Sequence, residues 1–343
     1  DAIRKRCENE VLGYTGKPDS YYNAIINWVK QRYDLVVAKE MINFVPGIVP
    51  GIGMAMNCFT QKGDKVMIQP PVYHPFAWVT TRNERTLVTN PLKWENGMYR
   101  MDLDTFREQI KGCKLFILCN PHNPGGVVWT EAELRAIADI CYDEKVLVFS
   151  DEIHADLTLP PHTHRPFATV SEKARMNSVT FMSPSKAFNM PGLSASHALI
   201  FNEDLRKRFR IYMDAGELDM GHVFAFLSVE AAYSHGTEWL DQCLAYIQGN
   251  IDFVDDFLKN HAPKIKAIRP EASYLVWLDC RELKLSQKDL NEFFVDKAHL
   301  ALNDGEMFGK EGIGFMRLNV ASPRCIIEKA MKQLADAYQL YIK

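Results

Sequence analysis

The stretch Leu115-Phe-Ile-Leu-Cys-Asn-Pro-His-Asn-Pro-Gly-Gly126 decides the fold. Five apolar residues run without alternation and stop abruptly in a turn of Asn, Pro and Gly. An uninterrupted apolar strand is buried on both faces, as in a parallel sheet. Thr130 and Glu133 then form a capping box, and Leu134, Ile137, Ala138 and Cys141 recur at helical spacing. A second apolar run, Val146 to Phe149, leads into Ser150-Asp-Glu-Ile-His154. Strand, helix, strand is a βαβ unit. Two further runs have the same form: Val66 to Gln69 leads into Pro70, Pro71 and Tyr73, and Val179 to Met182 leads into Ser183-Pro-Ser-Lys186. The expected fold is α/β, a doubly wound and mostly parallel sheet.

Beyond about residue 205 helices take over, notably 223–234 and 238–260. A smaller α/β portion follows: strand 274–278, helix 286–299, strand 314–319 and a last helix 323–341. The reading is a large domain over 1–240 and a small C-terminal domain over 241–343. The chain opens at Asp1 inside a helical pattern (Ile3 to Leu12) without a methionine, so a preceding segment is expected.

With 343 residues the chain is too long for one core. Its 47% hydrophobic and 24% charged content is that of an ordinary globular protein. A net charge of −3 gives no footprint for nucleic acid or an acidic membrane surface. No apolar run reaches the ~20 residues of a membrane-spanning helix. The eight cysteines are scattered, with no CxxC pair or Cys/His cluster, so neither a metal site nor a disulfide framework is expected. Reduced thiols point to a cytoplasmic protein.

Ligands of doubly wound sheets bind beyond the carboxyl ends of the strands. Four such ends carry Tyr73, Asn123, Asp151 and Lys186. Taken singly, each has an ordinary reading: rim aromatic, turn residue, helix cap or ion pair, surface charge. Together they make one site. A lysine among apolar residues such as Ala187, Phe188 and Met190 loses its proton readily, as a Schiff-base lysine must. A carboxylate ending a buried strand needs a cation, and a pyridinium N–H is one. The Asn123 amide can donate to a phenolate oxygen, and Tyr73 can stack on a ring. Gly47-Ile-Val-Pro-Gly51 precedes a helical run from Ile52 to Phe59, and backbone N–H groups at such a start bind phosphate. Ser183 and Ser185 add hydroxyl donors.

These motifs carry a resemblance. Asp151 follows Asn123 by 28 positions and Lys186 follows Asp151 by 35. In this order and spacing the chain resembles the fold-type I pyridoxal-phosphate (PLP) enzymes, the aspartate aminotransferase superfamily. Further features are those of its β-C–S lyase branch, that of cystalysin, bacterial cystathionine β-lyases and the maltose-regulon modulator. They are Leu12-Gly-Tyr-Thr15, Pro71-Val-Tyr-His-Pro-Phe76, SDEIH (150–154), SPSKAFNMPGL (183–193) and Met316-Arg-Leu-Asn-Val-Ala-Ser-Pro323.

The resemblance implies roles. Lys186 would carry PLP and shuttle the Cα proton. Asp151 would bind the pyridine nitrogen, Asn123 and His154 the ring hydroxyl, and Tyr73 the ring face. Ser183, Ser185 and the backbone at Ile48 and Val49 would hold the phosphate, with Tyr14 reaching it from the partner subunit of a homodimer. Arg317, alone readable as a surface ion pair, would clamp the substrate carboxylate beside Tyr73. Two positions depart from the pattern: Ser194 replaces a basic residue common in relatives, and His74 stands where cystalysin has a tyrosine. The implied activity is β-elimination on cystathionine or cysteine, giving pyruvate, ammonia and a thiol. The alternative is a class I/II aminotransferase, which the same residues serve. A regulatory binding protein is a third class, against which Lys186 and Asp151 both argue.

Overall fold

The computed structural model describes residues 1–341. Its main sheet has seven strands. In chain order β1 is Ile42–Val45, β2 Lys65–Ile68 and β3 Thr86–Thr89. A small hairpin, β4 (Lys93–Glu95) and β5 (Met98–Arg100), stands apart. Then come β6 (Cys113–Cys119), β7 (Leu147–Asp151), β8 (Ser178–Met182) and β9 (Ser196–Leu199). The spatial order is β1-β9-β8-β7-β6-β2-β3. The pairs from β3 to β8 are parallel, and β9 alone runs against its neighbours. The carboxyl ends of β1, β2, β6, β7 and β8 therefore share one edge, and the start of β9 joins them there.

Both faces of the sheet are covered, which is why β6 and β8 read as unbroken apolar runs. One face packs Ile117, Phe149 and Phe181 against helices 48–59 and 203–215, through Ile52, Met56 and Phe209. The other packs Phe116, Leu118 and Val148 against helix 131–143 through Leu134, Ile137 and Cys141. The capping box at the start of that helix is formed: Glu133 N–H donates to Thr130 Oγ1 at 3.2 Å and Thr130 N–H to Glu133 Oε2 at 2.9 Å.

A second sheet is built from β10 (Lys266–Ile268), β11 (Leu275–Asp279), β12 (Asn303–Asp304) and β13 (Phe315–Asn319), all antiparallel. The 25-residue helix Thr237–His261 packs against β10 of this sheet and the preceding helix 223–235, and residue 240 falls in its first turn. One apolar core runs along this helix, from Leu240 to Leu258, and includes Val276, Leu278, Met316 and Leu318 of the second sheet. We retain residue 240 as the proposed domain division.

Two expected elements differ. The first helix spans only Ala2–Cys7 and buries no side chain. A helix with no buried face has little to hold it together, and the Arg6 guanidinium binds the carbonyls of Asn9 and Val11 instead of letting the turn continue. The helix expected from Ile52 begins four residues earlier, at Ile48. Pro50 hid that start, although a proline in a first turn breaks no helical bond.

The turn after β6 also ties the two sheets together. Gly126 has φ +68° and its carbonyl accepts from the N–H groups of Glu271 and Ala272 at 2.9 and 3.0 Å. An added Cβ there would lie 2.8 Å from Pro270 Cα. Gly126→Ala should therefore cost about 1–3 kcal/mol through strain and overpacking, read as a lowered urea midpoint. An unchanged midpoint would mean that this junction is slack.

Candidate active site

The shared edge of the main sheet opens into a cavity of about 470 Å³. Each wall comes from a strand end. Beyond β1, Gly47 adopts φ +117°, a region open to glycine, and helix 48–59 starts at the next residue. The N–H groups of Ile48 and Val49 have no intrahelical acceptor, and both residues line the cavity. Beyond β2 stands Tyr73, beyond β6 Asn123, at the end of β7 Asp151, and beyond β8 Lys186; Arg317 of β13 closes the top. His154 and Ser185 also line the cavity.

The Asn-Pro-His-Asn-Pro-Gly-Gly turn is rigid because His122 is buried within it. Its Nε2–H donates to Pro71 O at 2.9 Å, while Nδ1 accepts from Gly125 N–H at 3.3 Å. Burial holds this imidazole neutral, with its pKa down at about 4. The loop carrying Tyr73 and the loop carrying Asn123 are thereby locked together.

The charges of the site are incompletely paired. Asp151 is buried and accepts one backbone N–H, from Ile153 at 3.1 Å. Burial pushes its carboxyl up to about 7, against the ordinary 3.8. Lys186 is half-buried, and desolvation, then the Arg317 charge, lowers its amine. Arg317 has no carboxylate partner among the described residues. Its Nη1 donates to Asn123 Oδ1 and its Nη2 to Asn303 Oδ1, each at 2.8 Å, and its Nε is buried without an acceptor. It lies 4.7 Å over the Phe308 ring. Desolvation depresses it to about 10. His154 is neutral, held down at about 3 by burial and then by Lys186 and Arg317, and its Nδ1 has no partner. The cavity thus combines a carboxylate short of a cation, a guanidinium short of an anion, and free N–H groups at a helix start.

Two expected residues lie elsewhere. Ser183 does not line the cavity. Its hydroxyl donates to Ala195 O at 2.8 Å and accepts from Ser185 N–H at 3.1 Å, so it anchors the lysine loop. Tyr14 is 98% exposed, in a separate cleft formed by residues 12–15 and 220–224. Other residues line the cavity without having been singled out: Tyr274, Ser196 and Asn319. Asn303 reaches Arg317 because it is its cross-strand neighbour. Asn319 lies in the Met316 to Pro323 motif; the others have no local signature and arrive by pairing or loop geometry. Ser194 is at the cavity with φ +47° and brings no charge.

The fold and this cavity define a class: a two-sheet α/β protein with a lysine, an aspartate and a phosphate-type helix start at one strand edge. The sequence profile of the family Aminotransferase class I and II matches residues 5–334, and the chain belongs to that family. It is 37% identical over 339 residues to the cystathionine beta-lyase PatB of Bacillus subtilis, covering 98% of this chain and 88% of that protein. Cystalysin from Treponema denticola, whose crystal structure contains pyridoxal 5'-phosphate, superposes with a TM-score of 0.96 at 34% identity, over 100% of this chain and 87% of that one. A PLP-bound candidate aminotransferase from Clostridium difficile 630 superposes with a TM-score of 0.96 at 40% identity, over 98% and 88%.

The Asp151 carboxyl holds its proton more tightly folded than unfolded. Its contribution to stability is full below 3.8 and is lost as the pH rises through about 7. In cofactor-free protein, urea unfolding between pH 4 and 7 should show this loss, and Asp151→Asn should remove it. Parallel curves for the two proteins would show that Asp151 is solvated or already paired.

Proposed function

We propose that the chain is a PLP-dependent carbon–sulfur β-lyase, acting on cysteine derivatives to give pyruvate, ammonia and a thiol. The observation that carries this is full-length likeness to PatB and cystalysin together with the complementary charges around Lys186. PLP fits those charges. Its ring nitrogen supplies the cation that buried Asp151 lacks. Its phosphate suits the N–H groups of Ile48 and Val49 and the Ser185 hydroxyl. The Asn123 side chain, whose Oδ1 is taken by Arg317, has its Nδ2–H left for the ring oxygen, with His154 beside it. Tyr73, on the cavity wall, would cover the ring face. When bound, PLP withdraws the electron pair left at Cα after deprotonation.

Lys186 Nζ, on the cavity wall, is the amine that would hold the cofactor's aldehyde and be freed by a substrate amine. Lowered by burial, the freed amine removes the Cα proton as a general base. Asp151 would pair with the ring nitrogen and keep its proton in place. Arg317 receives the α-carboxylate bidentately; its uncompensated charge is satisfied by substrate alone. The Cα pair then forms a bond to Cβ as the C–S bond breaks, the thiolate leaves with that bond's pair, and water hydrolyses the released enamine to pyruvate and ammonia. Tyr14 of a second copy completes the phosphate site, so the working unit is a homodimer. The eight free cysteines, four of them buried, fit a reducing cytoplasm; among the described residues no helix is long and apolar enough to cross a membrane.

Borohydride treatment of the yellow holoenzyme followed by peptide mapping should place the pyridoxyl label on Lys186. Given L-cystathionine or an S-alkyl cysteine and no keto acid, the enzyme should release pyruvate over many turnovers, because the electrons depart with the thiolate. Product that stops at one equivalent per site, and resumes only on adding 2-oxoglutarate, would instead make it an aminotransferase.

Arg317→Lys should raise KM for these substrates about 10–100-fold, the value of a lost charge-assisted bond, with cofactor content unchanged. A normal KM would remove Arg317 from the carboxylate site.

A further inference from the structure

A second cavity, of about 310 Å³, meets the active-site cavity at Lys186, Tyr274 and Asn319, which wall both. Its far side is made by the start of helix 237–261: Trp239, Cys243, Tyr246 and Ile247. Pro323 and Leu157 complete the apolar wall, and its polar rim is Asn189 and Ser322. Trp239 and Tyr246 are each half-exposed, and the Trp239 ring stacks on Phe188 at 5.9 Å between centroids, which fixes its place in the wall. The Tyr246 hydroxyl oxygen accepts Arg324 N–H at 2.6 Å, and its own proton is left for a ligand. Burial raises the Cys243 thiol, so it is neutral as well. Among the described residues, no charged residue apart from Lys186 lines this space.

We infer that this second cavity is the subsite for the sulfur-borne substituent of the substrate, and that it selects an uncharged alkyl or aryl group over an amino-acid head group. The inference rests on the lyase reading above and narrows its substrate class. Within the active-site cavity the anion-binding groups are spoken for: Arg317 by the α-carboxylate and helix 48–59 by the phosphate. The open direction past Lys186 and Tyr274 is toward Trp239. An alkyl or phenyl group entering there trades water for aromatic and aliphatic walls. The distal ammonium and carboxylate of cystathionine would lose their water against those walls and meet no opposite charge, since the Lys186 amine is engaged at Cα.

The test compares S-benzyl-L-cysteine with L-cystathionine on the holoenzyme. It also compares two analogues that cannot eliminate, 2-amino-5-phenylpentanoate and 2,7-diaminosuberate, by the absorbance change of the bound cofactor. The benzyl substrate should be favoured at least about tenfold in kcat/KM, and its analogue should bind correspondingly tighter. Trp239→Ala should reduce that preference severalfold and leave S-methyl-L-cysteine unchanged. Ala321→Arg, at an exposed position on the rim, should shift the preference toward cystathionine and diaminosuberate. Equal or better use of cystathionine by the wild type, or a preference untouched by both variants, overturns the subsite. If no substrate yields pyruvate repeatedly, the lyase reading falls, and the analogue affinities still decide the subsite.

Discussion

The carboxylate of Asp151 is the constraint around which the rest is arranged. It ends a strand that is buried on both faces, and a single backbone N–H satisfies it. A charge so placed is costly without a counter-charge, and burial, with a smaller push from the Glu152 charge, drives its proton affinity up toward neutrality. A cation brought by a ligand repays that cost twice, by pairing the carboxylate and by keeping the ligand's own nitrogen protonated. In the proposed reaction that second effect is what lets the ring draw electrons from Cα. The site is thus unstable in the direction that binding corrects.

Arg317 repeats the logic with opposite sign. Two carboxamide oxygens orient its guanidinium without neutralising it, and the Phe308 ring faces it. Because Asn123 is one of those carboxamides, the first sheet and the second are joined through the same group that lines the cavity. The Gly126 carbonyl makes a second joint a few residues away. The relative position of carboxylate anchor and cofactor anchors is consequently set by short bonds across the junction of the two sheets, where substrate-induced adjustment would be felt first.

Reaction choice depends on what happens after proton removal, and the residues already placed serve elimination and amino transfer alike. The difference lies in whether the Cβ substituent departs before Lys186 returns the proton, and the surroundings of Cβ bear on that. The neutral space beyond Lys186, bounded by Trp239 and Ile247, is the part of the molecule that faces that atom's substituent in the proposed arrangement. The selection of substrate and the selection of reaction are therefore coupled through one wall.

By itself the sequence determined the parallel strands, because runs such as Leu115 to Cys119 can be buried on both faces only in a covered sheet. It also determined that Tyr73, Asn123, Asp151 and Lys186 would meet, because parallel strands bring their carboxyl ends to one edge. The direction of β9, the start of helix 48–59 ahead of Pro50 and the brevity of the first helix depended on tertiary pairing and burial, to which local patterns are blind. The same holds for single side chains. Ser183 and Ser185 look equivalent along the chain, yet the Ala195 carbonyl claims the first hydroxyl and leaves the second on the cavity wall. Asn303 and Tyr274 have no motif; antiparallel registry against β13 and the loop leading into β11 bring them to Arg317 and Lys186. A side chain's neighbours across a sheet junction are set by pairing between segments far apart in sequence, and only the folded chain decides that pairing.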